Sequence, residues 1–321
     1  MGQIVGRFAP TPSGYLHLGN LFSSLLAWLS AKSQGGIVIL RNEDLDRERS
    51  RKEFVLQAQR DLERLGLFWD QGGDRQGPHA PYDQSLRFEF YKTQLEKLEA
   101  QGLVYPCFCT RAQLHAASAP HATDGEPVYA GTCRNLTSEE VAQRQKTRSP
   151  ALRLRVPEET IRFTDLHYGP QEQYLPTQCG DFILRRSDGV YAYQLAVVAD
   201  DAAMGVTQVV RGSDLLSSTP RQILLYRLLG YAPPEFAHTP LLLAPGGRRL
   251  SKRDGDQSLS GLLAKGLTPE DVVGRLAFLA GLLPKPEPVT PEDLLPLFSW
   301  EKVPRQDVVI PEGLFEKHPI Y

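Results

Sequence analysis

Two kinds of apolar pattern alternate along the chain. Ile4-Val5 opens a short apolar run that ends in Ala9-Pro10-Thr11-Pro12-Ser13-Gly14, where prolines and glycine exclude regular structure, so a strand should run into a loop. From Asn20 to Ala31, Leu21, Leu25, Trp28 and Leu29 recur at helical spacing. Gly35-Gly36 closes that pattern, and the continuous run Ile37-Val38-Ile39-Leu40 reads as a buried parallel strand. Ser50-Arg51-Lys52-Glu53 has the form of a capping box and predicts a helix from Arg51 to about Leu65. Another helix is expected from Gln84 to Gln101, stopped by Gly102.

Residues 103–180 change character, with short extended runs such as Ala151 to Val156 and many turn residues. Alternation returns at the strand Phe182-Ile183-Leu184, followed by a turn at Asp188-Gly189, a helix over Ala192 to Ala203 and a strand at Val209-Val210. A helix from Pro220 to Leu229 and a strand at Leu241-Leu242-Leu243 complete this part. Beyond residue 258 the signals are helical only: Thr268-Pro269-Glu270-Asp271 and Thr290-Pro291-Glu292-Asp293 each put a Thr cap before Pro at the first helical position. The pattern predicts an α/β fold, a Rossmann-like doubly wound parallel sheet with an inserted module and a short helical C-terminal region. The expected division is 1–102, first half of the Rossmann-like domain; 103–180, inserted module; 181–257, second half of that domain; and 258–321, the helical region.

Composition narrows this little. A chain of 321 residues suits about two domains, and 41% hydrophobic with 23% charged residues excludes disorder, collagen and coiled coil. The net charge of -2 means that any nucleic-acid partner must be met by a local basic surface. No basic start followed by a long apolar run is present, so a cytoplasmic protein is expected; Gly2 does not start a myristoylation signal, because Gly6 stands where Ser or Thr is needed.

Three segments carry chemistry. His17-Leu18-Gly19-Asn20 follows the first strand and opens a helix, where free backbone amides and the helix dipole favour a phosphate. Arg249-Leu250-Ser251-Lys252-Arg253 follows Gly246-Gly247, which suits a loop closing over a polyphosphate, with Lys252 neutralising charge on departing pyrophosphate. Cys107, Cys109 and Cys133 are too few for a disulfide framework, and their clustering points to a metal in a reducing compartment; Cys179 stands apart as a packing residue. His115 and His121 lie in the same segment and are the better fourth ligands by general metal chemistry.

The two phosphate-directed segments resemble the His-Ile-Gly-His and Lys-Met-Ser-Lys-Ser signatures of class I aminoacyl-tRNA synthetases. The chain departs from them at Leu18, Asn20, Arg249, Leu250 and Arg253 and keeps His17, Gly19, Ser251 and Lys252. Arg7 to Gly14, Arg41-Asn42-Glu43-Asp44-Leu45-Asp46, Tyr191 to Asp201 and Val210-Arg211-Gly212-Ser213-Asp214 are similar to the glutamyl-tRNA synthetase group, over roughly residues 3 to 255. The resemblance implies that Arg7, Ala9, Thr11, Glu43, Tyr193 and Arg211 hold L-glutamate, with Glu43 on its ammonium. It also implies that His17, Gly19, Asn20, Ser251 and Lys252 bind ATP, which brings Mg2+, and that His17 and Lys252 serve catalysis. A zinc set of Cys-x-Cys with Tyr-x3-Cys is implied at Cys107, Cys109, Tyr129 and Cys133, one structural Zn2+ per chain. The segment after Arg253 is too short for the anticodon-binding domain of that group as well as the capping helices. The expectation is therefore a short branch of the group that attaches glutamate to queuosine in the anticodon loop of tRNA(Asp). A short synthetase charging the 3′ end of tRNA, or a zinc-stabilised RNA-binding module with a vestigial ATP site, are the alternatives.

Overall fold

A computed structural model describes residues 2–110, 112–113, 128–248, 250 and 258–316. In chain order the first elements are β1 (Val5–Phe8), α1 (Leu18–Lys32), β2 (Ile37–Leu40), α2 (Lys52–Arg64), β3 (Gln71–Gly72), α3 (Phe88–Ala100) and β4 (Val104–Cys107). Then come α4 (Ser138–Gln145), β5 (Ala151–Leu154), β6 (Thr160–Asp165), β7 (Gly169–Tyr174), α5 (Leu175–Gln178), β8 (Ile183–Arg185), α6 (Tyr193–Ala203) and β9 (Gln208–Gly212). The remainder comprises α7 (Thr219–Leu228), β10 (Glu235–Thr239), β11 (Leu242–Leu243), α8 (Leu259–Ala264), α9 (Pro269–Leu279), α10 (Pro291–Leu294) and β12 (Val308–Val309). None of the described helices is long and apolar enough to cross a membrane.

Strands β1, β2 and β3 pair in parallel, and β9, β10 and β6 form a second parallel set whose edge is the antiparallel hairpin partner β7. The two sets meet where the Thr207 amide donates to the Val5 carbonyl at 3.0 Å, beside the start of β9. Helices cover both faces, which is why β2 reads as a continuous apolar run. Val38 and Leu40 enter a core with α1 and α9, whereas Ile39 enters the opposite core with α3, α6 and α7.

The sequence expectations need four corrections. The Ser50–Glu53 box does not form: the helix starts one residue later, with Arg51 as an N-cap lacking a side-chain bond, and Ser50 is held instead by its amide on the Asp46 carbonyl at 2.9 Å. Ile183–Arg185 does not resume the parallel sheet but is the antiparallel edge of a separate sheet, β4-β5-β8. Thr160–Asp165, from the segment read as inserted, pairs with β10 of the main sheet. The C-terminal region is not helical only, because Val308–Val309 pairs with Leu242–Leu243, so β11 leaves the main sheet too. Short apolar runs state that a strand forms, and long-range pairing decides with which neighbour. Strand β10 went unpredicted because its buried positions include His238 and Thr239. The two Thr-Pro-Glu-Asp signals, by contrast, form capping boxes at Thr268 and Thr290.

Two adjacent acids on α6 are buried among these elements. Asp200 accepts from Arg87 Nε at 2.6 Å, Tyr91 Oη at 2.8 Å and Gln84 Nε2 at 2.8 Å. Asp201 accepts from Arg41 Nη1 at 2.6 Å, and Arg41 Nη2 donates to Glu43 at 3.1 Å. Arg41 is fully buried and its charge is strongly retained: burial opposes it, but Asp201, Glu43 and Asp200 together outweigh burial. Removing one member leaves an uncompensated buried charge, so Asp200→Ala is expected to cost about 3–5 kcal/mol in urea unfolding. A loss below about 1 kcal/mol would contradict this account of the network.

Candidate active site

The strand order reverses between β1 and β9, and ligands in open α/β sheets bind at the carboxyl ends of strands at such a point. A cleft of about 590 Å³ opens there. It collects Arg7, Ala9 and Thr11 from the end of β1 and its loop, His17, Gly19 and Asn20 from the start of α1, Glu43 after β2, Tyr193 on α6, and Arg211 on β9. Every described residue expected from the sequence to hold glutamate or ATP therefore faces one space. Asp44 and Asp46 do not join it. Asp44 caps Ser85 through its amide at 2.8 Å and hydroxyl at 2.6 Å, and Asp46 forms an exposed pair with Arg49.

His17 is the N-cap of α1. Its Nδ1 accepts the Gly19 amide at 3.1 Å, and the Asn20 Oδ1 accepts the His17 amide at 3.1 Å, closing a capping box. With Nδ1 committed as an acceptor, the ring proton resides on Nε2, so the imidazole is set up as a donor beside the helix N-terminus. Gly19 keeps the approach to the His17 ring open: a Cβ there would stand 3.1 Å from it, a tight contact that the ring would have to relieve by shifting. Arg249, Ser251, Lys252 and Arg253 lie outside the described residues. The chain on either side of that segment reaches the cleft, since Leu250 lines it and Ser258 bridges to His17. Gly246 and Gly247 precede the segment with φ of +85° and +79°, a turn that glycine adopts without strain.

The charges in the cleft are held differently from one another. Glu43 is almost buried and pushed up by burial, against the opposing pull of Arg41 and Arg7. Arg7 donates to the Val210 carbonyl at 2.9 Å and stands 3.7 Å from Asp201. Arg211 donates from Nε to His238 Nε2 at 3.1 Å, from Nη1 to Gln222 Oε1 at 2.8 Å and from Nη2 to Thr219 Oγ1 at 2.8 Å. Burial lowers its basicity, as it raises the Tyr193 hydroxyl. Behind Arg211, His238 Nδ1 bonds Asp165 Oδ2 at 2.6 Å. Burial depresses the His238 imidazole to about 4 despite that carboxylate. Asp165 is itself kept low, because bonds from His238 and the amides of Tyr168 and His167 outweigh its burial.

A second cluster lies at the end of β4. The Cys107, Cys109 and Cys133 sulfurs all fall within 4.8 Å of one another, and Cys109 and Cys133 are 3.7 Å apart. Zn–S bonds of about 2.3 Å place tetrahedral sulfurs about 3.8 Å apart, so these thiols fit one such ion. The Tyr129 hydroxyl completes the group at 3.5 Å from Cys107 and 3.6 Å from Cys109. His115 and His121 lie outside the described residues. Burial works against the Cys107 thiolate, but bonds from Tyr129 and Arg153 hold the thiol below its ordinary range. Cys179 packs in the apolar core beside Leu175 and Phe182 instead.

The family model described as tRNA synthetases class I (E and Q), catalytic domain, matches residues 3–285. The chain belongs to that family. It is 57% identical to a glutamyl-Q tRNA(Asp) synthetase of Symbiobacterium thermophilum and 49% identical to one of Nitratidesulfovibrio vulgaris, over 96% and 98% of both chains respectively. A glutamate–tRNA ligase of Sulfurihydrogenibium is 42% identical, over 94% of this chain and 64% of its own. Among solved structures, a glutamate tRNA ligase of Elizabethkingia meningosepticum in complex with its amino acid superposes with a TM-score of 0.83, at 30% identity and over 98% of this chain and 68% of that one.

Within this class I catalytic domain, the sequence motifs locate the cleft but miss its supports. Arg41 and Asp200 fall inside those motifs without a role assigned to them, and Asp165, Thr219, Gln222 and His238 are buried polar residues outside the motifs, explained by the partners that the fold brings to them. His238 should also leave a trace in stability. The folded imidazole takes up its proton only near pH 4 whereas the unfolded one does so near 6.5, so the unfolded state binds more protons between these values. Stability is expected to be unaffected by this group above about pH 7 and to fall as the pH drops from about 6.5 towards 4. Urea unfolding across that range should show a shallower decline for His238→Gln, and identical slopes would refute the assignment of a neutral buried imidazole.

Proposed function

We propose that this protein activates L-glutamate with ATP and transfers the glutamyl group to queuosine in the anticodon loop of tRNA(Asp). The observation that carries the activation step is one cleft joining a buried carboxylate, Glu43, two arginines, Arg7 and Arg211, and the capped N-terminus of α1. An amino dicarboxylate has one cation and two anions, which match Glu43 and the two guanidiniums. Ala9, Thr11 and Tyr193 line the same pocket and shape it around that substrate. The choice of RNA acceptor is supported by the two relatives named for it, which match over nearly their whole lengths.

The α-carboxylate of glutamate attacks the α-phosphate of ATP, pyrophosphate leaves, and a hydroxyl of the RNA then displaces AMP from the activated carbonyl. His17 Nε2–H and the amides at the start of α1 are placed to hold phosphate oxygens, and Gly19 and Asn20 lie beside them. Ser251 and Lys252 follow directly on Leu250 at the cleft, and Lys252 neutralises charge on the departing pyrophosphate. Mg2+ on the phosphates would spread that charge further. Catalysis is placement and charge stabilisation, with no protein nucleophile. Cys107, Cys109, Tyr129 and Cys133 would hold one structural Zn2+ that stiffens the end of β4.

Three measurements test this reading. Glutamate-dependent ATP–pyrophosphate exchange should proceed without tRNA; Arg211→Ala should raise KM for glutamate on the order of 100-fold, and Lys252→Ala should lower kcat by a similar factor while leaving KM nearly unchanged. Exchange that begins only when tRNA is added would defeat a self-sufficient activation site. Labelled glutamate should then appear on an anticodon-loop nucleoside of queuosine-containing tRNA(Asp), weakened by added salt, and not on unmodified tRNA(Asp) or tRNA(Glu). Label on the terminal adenosine of tRNA(Glu) would establish a 3′-charging enzyme instead. Elemental analysis should find close to one zinc per chain, and Cys109→Ser should lower that content while the circular dichroism of the α/β core stays unchanged.

A further inference from the structure

Arg211 differs from the other arginines of the cleft in what holds it. Arg41 bonds the carboxylates of Glu43 and Asp201, and Arg7 stands 3.7 Å from that same Asp201. Arg211, 6% exposed, has no carboxylate within ion-pair distance among the described residues. Its bonds run to the His238 ring, the Gln222 amide oxygen, the Thr219 hydroxyl and, at 3.4 Å, the Leu215 carbonyl. All are uncharged acceptors when the imidazole is neutral.

The hydrogen-bond directions enforce that neutrality. Asp165 accepts the amides of His167 at 3.0 Å and Tyr168 at 2.8 Å, so its carboxylate is fixed in place. Being an acceptor, it draws the ring proton of His238 to Nδ1 at 2.6 Å, which leaves Nε2 bare. Nε2 can then accept from Arg211 Nε, and from the Thr219 hydroxyl at 3.2 Å, which in turn accepts from Arg211 Nη2. Gln222 is oriented in the same way: its Nε2 donates to Gln194 at 2.7 Å, which turns its oxygen towards Arg211. The carboxylate that organises the group is thus kept one imidazole away from the guanidinium.

We propose that His238, held by Asp165, and Gln222 are positioning residues that fix Arg211 without neutralising it, so that the cleft selects an amino acid with an anionic side chain over its uncharged amide. This rests on the glutamate reading above and adds the residues that set its charge specificity. A guanidinium already paired with a protein carboxylate would have little left to offer an incoming one, whereas an oriented, uncompensated cation in a buried site gains most from a charged ligand.

The test is amino-acid-dependent ATP–pyrophosphate exchange with separate kcat and KM, for glutamate and glutamine, in four variants. Gln222→Glu, nearly isosteric, puts a carboxylate on Arg211 and should raise KM for glutamate about 100-fold and reduce the glutamate-to-glutamine ratio of kcat/KM, with kcat changed much less. Gln222→Leu removes the same bond without adding charge and should cost no more than about tenfold. His238→Leu should raise KM at least about tenfold, and His238→Gln, which can still accept from Arg211 and donate to Asp165, should recover most of that loss. Nitrogen NMR of the imidazole should show the neutral Nδ1–H tautomer at pH 7. Equal effects of Gln222→Glu and Gln222→Leu, failure of Gln to rescue position 238, or a doubly protonated imidazole would overturn the proposal. A wild-type protein that prefers aspartate would defeat the glutamate reading, and the same variants would then judge the charge argument on aspartate; preference for an uncharged amino acid would overturn both.

Discussion

Two adjacent carboxylates buried on one helix, Asp200 and Asp201, impose the constraint around which the protein is arranged. Neither can remain charged in the interior without cations and donors brought to it, and those come from separate parts of the chain: Arg41 at the end of β2, Gln84 and Arg87 just before α3, and Tyr91 in its first turn. Satisfying the pair therefore fixes the positions of β2, α3 and α6 relative to one another. The next consequence is functional. Arg41, committed to Asp201, has one donor on Glu43, so Glu43 is held at the rim of the cleft with a cation behind it and open space before it.

The cleft follows from that frame as an uneven distribution of charge. Arg7 leans on the β9 backbone and on Asp201, Arg41 is consumed by acids, and Arg211 is braced by neutral groups alone. One buried anion after β2 and one cation on β9 thus line the same cleft, beside the positive end of α1. Such an arrangement is prepared before a ligand arrives, which is what placement-driven catalysis requires, because little must reorganise when charge moves in the reaction.

The cysteine cluster is built on different principles and is tied to the antiparallel sheet β4-β5-β8. Arg153 on β5 lies 3.9 Å over the Tyr129 ring and donates to the Asp181 carbonyl at 2.7 Å, while Asp181 accepts Tyr105 Oη at 2.6 Å and the Val156 amide at 2.8 Å. The cysteine cluster and Tyr129 are therefore anchored through cation–π contact and a buried carboxylate rather than through a large apolar core, in keeping with the small number of apolar residues around them.

What was readable in the chain was whatever depends on neighbours in sequence. The turn at Pro10 to Gly14, the helix after His17, the apolar run of β2, the Thr-Pro caps and the Cys-x-Cys pair at Cys107 and Cys109 each declare themselves within a few residues, because propensity and capping are local. The motifs even located the cleft, since β1, α1 and β9 carry its residues in short segments. What only the tertiary structure decided were pairings between distant positions. Ile183–Arg185 and Thr160–Asp165 exchange the sheets expected of them, β10 carries a buried histidine in place of an apolar signature, and Val308 finds Leu242. The buried polar residues belong to the same class: Asp165 and His238, or Arg87 and Asp200, look unremarkable or even unfavourable alone, since burying either partner costs free energy until the other is in place.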